Sequence, residues 1–203
     1  MKPLAIYLIL IIILLGISSH MEGQTSHSSS NPVFLNHIYY SLSDSLISLE
    51  QNAARMESKT KGMGYGGSEG GFYMDGAKSN VRIRAGDSLH FSIKMNMAMM
   101  DPSMIVKLYK FDSKNGNREA ILSSQGGMFS RGKSKSTASE ISFNILKSGS
   151  EDYIMMPASR LAPGEYGFIN TMMMNGSGRD MSYTVFTFGV DWLVQRPDRF
   201  SII

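Results

Sequence analysis

Leu161-Ala162-Pro163-Gly164-Glu165-Tyr166-Gly167-Phe168 is the stretch that decides the fold. Pro163 fixes φ for a turn, and Gly164 supplies the positive φ that a tight reversal uses. Tyr166 then opens an apolar strand, and the pattern over 183–192 makes that segment its expected partner. A leucine, a Pro-Gly turn and a tyrosine in this order bring late strands back over a β core.

Working outward, the clearest alternation lies upstream. Leu89, Phe91, Ile93 and Met95 share one face of a strand, with His90, Ser92, Lys94 and Asn96 on the other. Val81 and Ile83 alternate with Arg82 and Arg84 just before it. Segments 104–112 and 118–124 read as a hairpin around Asn115-Gly116, a strong turn signal. Ile141, Phe143 and Ile145 form a further strand, and 153–156 another, closed by Pro157. Asn175-Gly176 turns the strand that begins at Glu165; Thr184, Phe186, Phe188, Val190 and Trp192 line one face of the last strand. Nearer the start, 33–40 is a strand and 44–51 a short apolar segment, strand or helical turn. Residues 52–61 carry no apolar stripe and read as a polar connection. The glycine-rich stretch 62–71 reads as a flexible or bulged hairpin loop, and 126–139 as a long polar loop. The expectation is an all-β, immunoglobulin-like antiparallel sandwich of about seven to nine strands with no long helix.

At the corner residues the chain resembles immunoglobulin-like and fibronectin type III-like sandwiches, in which a tyrosine ties its hydroxyl back to nearby backbone. As a whole it is also similar to uncharacterised exported β-sandwich proteins of bacteria. The shared features are an export signal, the glycine-rich stretch 62–71, the LxPGEY corner Leu161 to Tyr166, and the FGVD strand end Phe188 to Asp191. The resemblance implies fold and exported location, and it implies no activity.

The first residues support that location. Lys2 precedes an uncharged apolar run from Leu4 to Leu15, and small residues follow at Gly16 and Ser18. That run is shorter than the roughly 20 residues a spanning helix needs. Residues 1–23 are therefore assigned to an export signal and 24–32 to a polar, serine-rich linker. The domain occupies 33–195, and 196–203 is a C-terminal tail. The expected location is the periplasm, the cell surface or the extracellular space, with the membrane involved only through the export signal.

Composition excludes several chemistries. None of the 203 residues is cysteine, which removes disulfides, thiol catalysis and cysteine-based metal sites. A formal net charge of +3 is mild and does not by itself point to nucleic acid, whose binders are expected to cluster their basic residues. No His-x-His pattern occurs, and of the four histidines only His37 and His90 fall within the domain. Glu151 and Asp152 are adjacent, so a strand would send them to opposite faces. Residues 71–78 miss a phosphate loop by one residue, Ala77. No catalytic, cofactor-binding or metal residue is assigned, no cofactor is expected, and an enzyme is not expected. The reading is an exported, non-enzymatic binding or structural module for an unknown protein or glycan; its oligomeric state cannot be read from the sequence.

Methionine offers the alternative. The 17 methionines include clusters at Met95, Met97, Met99, Met100 and Met104, at Met155 and Met156, and at Met172 to Met174. Thioether sulfur suits Cu(I), which makes a Cu(I)-handling protein the second reading. The simpler role for Met95 and Met97 is core filling on the face of Phe91 and Ile93.

Overall fold

A computed structural model of the protein describes residues 31–61, 67–86, 88–96, 101–126, 134–136, 140–177 and 181–192. The segment assigned to an export signal, nearly all of the expected linker and the expected C-terminal tail lie outside these residues, as do Met97, Met99 and Met100. The strands in chain order are β1 (Ile38–Leu42), β2 (Ser45–Ser48), β3 (Glu50–Thr60), β4 (Gly67–Asp75), β5 (Arg82–Arg84), β6 (His90–Lys94) and β7 (Val106–Lys114). They continue with β8 (Asn117–Gly126), β9 (Ser134–Ser136), β10 (Glu140–Ile141), β11 (Phe143–Lys147), β12 (Asp152–Pro157), β13 (Gly164–Asn175) and β14 (Ser182–Asp191). The 3-10 turn Pro102–Met104 precedes β7.

The all-β expectation holds, but the count and the architecture are corrected. Among the described residues fourteen strands replace seven to nine, and the larger sheet closes on itself instead of forming one layer of a simple sandwich. Strands β7, β13, β14, β3, β4 and β8 pair in that order, all antiparallel, and β8 returns to β7. The result is a six-stranded barrel. The remaining sheet, in the order β11-β12-β6-β1-β2, covers one flank of it.

Two strands hold both layers together. In β14 every residue from Thr184 to Val190 is buried, and in β13 every residue from Glu165 to Asn170. Alternate side chains go to opposite faces, so each strand serves two cores. Tyr166, Phe168, Phe186, Phe188 and Val190 face the five-stranded sheet and meet Ile38, Phe91, Ile93 and Met155. The Phe91 ring lies 4.9 Å from Phe168 and 4.8 Å from Phe188. Ile169 and Val185 face the barrel interior with Ala54, Phe72, Met74, Tyr109, Phe111 and Ala120. Each such side chain contributes about 1.5–3 kcal/mol by burial, so a doubly buried strand concentrates the apolar stabilisation.

The predicted pairing of the corner strand with 183–192 is observed, Tyr166 opposite Phe188. So is the Asn-Gly hairpin: Asn115 and Gly116 have φ of 52° and 81°, joining β7 to β8. At the corner, the Tyr166 hydroxyl donates to the Ala162 carbonyl at 2.6 Å. Gly164 has a φ of 158°, at the margin of extended backbone, so the corner does not use it for a left-handed turn. The segment read as a polar connection, 52–61, is instead most of β3. Of its side chains in the barrel wall only Ala54 is fully buried, and Arg55 and Lys59 face solvent, which removes the apolar stripe that marks a strand. Part of the glycine-rich stretch is β4, with a register shift between Gly70 and Gly71. A Cβ on Gly71 would sit 2.3 Å from the Ala120 carbonyl oxygen, so the shift admits only glycine.

Charge closes one end of the barrel. Glu165, 6% exposed, accepts from the Ser79 amide at 2.8 Å and from Arg82 Nη1. Arg82 also grips Asp191, its Nε 3.0 Å from Oδ2, and this bond holds the Asp191 carboxyl below its usual range. Arg118, 1% exposed, donates from Nε to the Gly76 carbonyl at 2.9 Å, and its Nη1 lies 3.8 Å from Glu165 Oε2. Burial pushes the Arg118 pKa down, while Glu50 and Glu165 oppose that shift. Burial also pushes Glu50 upward. Hydrogen bonds from Asn80 and Ser79, together with the charge of Arg118, outweigh it and leave the carboxyl below its ordinary value.

Removing one member of a buried charge set leaves the others uncompensated, which costs about 3–5 kcal/mol. We expect Glu165→Ala to lose that much stability in urea denaturation, and Glu165→Gln to lose less. A loss for Glu165→Ala below about 1 kcal/mol, the range of exposed pairs, would show that Arg82 and Arg118 do not depend on it.

Candidate functional site

The corner that organises the fold also walls a cleft. β5 runs parallel to the end of β14, with Ile83 opposite Val190 and Arg84 opposite Asp191. The Ala85 amide extends this pairing by donating to the Asp191 carbonyl at 2.7 Å. The chain then turns through Gly86, whose φ is 112°, and enters β6 at His90. From the other side, β12 ends at Pro157 and the chain passes Ser159 and Arg160 to the Leu161 corner. Arg160 fastens the two sides, its Nη2 donating to the Gly86 carbonyl at 3.1 Å.

Between these segments lies a cavity of about 300 Å³ that includes Arg84, Ser88, His90, Ser159 and Arg160 around a floor of Leu89, Leu161 and Val190. A second cavity of about 460 Å³ shares Ala85, Gly86, Arg160 and Leu161 with it and extends to Pro163 and Trp192. An apolar floor with a few polar groups at the rim is the usual make-up of a small-ligand seat, and the volumes fall in the usual range of roughly 300–1,000 Å³.

Trp192 is the residue that alternation misplaces. The periodicity puts it on the buried face of the last strand, after Val190. β14 stops at Asp191, and Trp192 is 76% exposed beside the cleft. Arg84, Arg160 and Trp192 were not selected from the sequence as site residues. They are distant along the chain, and no local motif connects them.

The residues that sequence did single out are dispersed. His90 is exposed on the polar face of β6, as expected, and lines the cleft. His37 is half-buried against Phe186 and Tyr39, with both ring centroids 4.9 Å away, and its Nε2 lies 2.6 Å from Ser48 Oγ. Ser48 also donates weakly to the Leu49 carbonyl at 3.3 Å. This serine–histidine pair has no carboxylate partner among the described residues, so it lacks the group that orients a catalytic imidazole. Glu50 and Glu165 approach each other through Ser79, but hydrogen bonds and arginine contacts already engage both carboxylates. Asp152 lies within β12, while Glu151 precedes it. Lys78 is exposed, and the segment before it is strand, without the helix a phosphate loop feeds. Among the described residues, no group of three or more histidines and carboxylates is placed to hold a metal ion.

The methionines divide. Met95 and Met155 are core, 1% and 0% exposed. The Thr171 amide and hydroxyl both donate to the Ile105 carbonyl at 3.0 Å, which lays the segment carrying Met104 beside the one carrying Met172. These two are 69% and 61% exposed, and Met174 is 50% exposed.

No known family model matches the sequence, and neither does any curated protein.

His37 gives the fold a pH dependence. Burial lowers its pKa from 6.5, so the folded chain binds fewer protons at this site than the unfolded one. The stability contributed by the neutral ring is complete above 6.5 and is lost as pH falls below it. The melting temperature is expected to drop between about pH 7.5 and about pH 5, and His37→Gln should flatten that part of the profile. A variant with the same slope as the parent would exclude His37 as its source.

Proposed function

We propose that the chain is an exported, non-enzymatic binding module of the periplasm or cell surface, and that its ligand sits in the cleft beside Trp192. The observation that carries this reading is the exposed indole in a cavity that shares Arg160, Leu161 and the Ala85–Gly86 turn with a neighbouring cavity, where two arginines, a histidine and two serines surround apolar side chains. Aromatic side chains with a polar rim are what binding surfaces select. The strand-and-corner frame fixes both walls, so little order must be lost on binding.

Trp192 is the only tryptophan of the chain, and its emission therefore reports on the cleft. A panel of neutral, amino and acidic oligosaccharides and short peptides is expected to contain a member that shifts this emission. Ser159→Tyr, which fills the cleft from an exposed position, should weaken that binding at least about tenfold. A ligand that binds without moving the emission and is indifferent to Ser159→Tyr would place the seat elsewhere.

A second reading is supported by the contact that lays Met104 beside Met172. Exposed thioethers from two segments offer soft ligands for Cu(I), with Met174 two residues away. If copper handling is the role, anaerobic Cu(I) will be held against a bathocuproine-type competitor, and Met104→Leu with Met172→Leu will release it. Failure of the parent protein to retain Cu(I) in that competition would end this reading.

A further inference from the structure

We infer that the cleft recognises a carboxylate-bearing sugar, with Arg84 and Arg160 holding the carboxylate and Trp192 stacking on the pyranose ring; this rests on the cleft being the binding seat. Two pairs of described arginines differ in their surroundings. Arg82 and Arg118 are bound into the charge cluster at the barrel end by Glu165 and Asp191. Arg84, two residues beyond Arg82, and Arg160 line one cavity instead, both exposed. The described residues lining that cavity and its neighbour include no aspartate or glutamate. Asp87, in the intervening turn, lies outside the described residues. Arg160 spends one N–H on the Gly86 carbonyl, which orients the guanidinium without neutralising it.

Two guanidinium groups over an apolar floor form a seat for one anionic group. A guanidinium presents its donors in a planar fork that matches the two oxygens of a carboxylate. The floor of Leu89, Leu161 and Val190 has no donors for the rest of a highly charged polymer, which would require a longer basic track. Ser88, Ser159 and His90 supply single hydrogen bonds of the kind that suit sugar hydroxyls. At the outer end, Pro163 and Trp192 give an apolar surface on which the C–H face of a pyranose can lie, the electron-rich indole meeting polarised C–H bonds. An anion at one end, hydroxyls along the rim and a flat apolar face at the other describe a hexuronic acid unit.

The test uses trigalacturonic acid, its methyl ester and a sulfated trisaccharide of the same size, titrated into the full protein and read by Trp192 emission. Trigalacturonic acid is expected to shift the emission, with the methyl ester binding at least tenfold more weakly. Arg84→Gln with Arg160→Gln should abolish the difference between acid and ester, and because both residues are exposed the variant should melt with the parent. Equal binding of acid and ester, or tighter binding of the sulfated sugar, would overturn the carboxylate assignment while leaving the seat in place. If no sugar moves the emission while another member of the panel does so in a Ser159→Tyr-sensitive way, the sugar class is wrong and the seat stands. If every ligand found is indifferent to Ser159→Tyr, the seat and this inference fall together.

Discussion

A strand buried on both faces has no side of its own to give to water, and β13 places a carboxylate inside such a strand. Glu165 is tolerated there because the Ser79 amide, Arg82 and Arg118 surround it. Its partners come from β5, β8 and the segment between β4 and β5, so one side chain ties three parts of the chain together. Arg118 would be untenable alone: it is 1% exposed, and burial alone already weakens its hold on the proton. Replacing the set by apolar groups of matching shape is often neutral for stability, so the reason to keep charge is geometric. Arg82 reaches both Glu165 and Asp191, and this fixes β5 against the end of β14. The wall of the cleft depends on that placement.

How much of this could be read from residues depended on how many faces a strand buries. β6 has one inner face, and Phe91, Ile93 and Met95 alternate cleanly against exposed His90 and Asn96, so its sequence is explicit. The hairpin at Asn115-Gly116 was explicit for a different reason, since two successive positive φ values demand that pair. β3 was not, because Ala54 is its one fully buried residue and charged residues recur along it. A barrel wall needs few bulky groups per strand when the neighbours fill the lumen, here with Phe72, Tyr109 and Phe111. Closure was equally invisible. Whether two sheets lie apart or share strands is decided by which edges find each other, and a local pattern carries no record of that.

The site was less legible than the fold. Its corner was, through Tyr166, which makes the bond its position promised, though Gly164 does not supply the left-handed turn it suggested. Its chemistry was not, since Arg84, His90, Arg160 and Trp192 come from three stretches that only the sheet order brings together. Trp192 was assigned inward by extending a periodicity one residue past the end of its strand. Period-two alternation carries no marker for where pairing stops, and a single step beyond it turned a core residue into a rim residue.

The barrel is fastened unevenly. β7 and β8 are joined only where Asp112 to Lys114 face Asn117 to Glu119, next to their turn; farther along, β7 takes β10 as a neighbour and β8 takes β9. The cylinder therefore has a seam, tight at the charged end and parted at the other. Widening it there would separate no pair of β13 with β14, so the layer that carries the cleft does not depend on how tightly the seam is drawn.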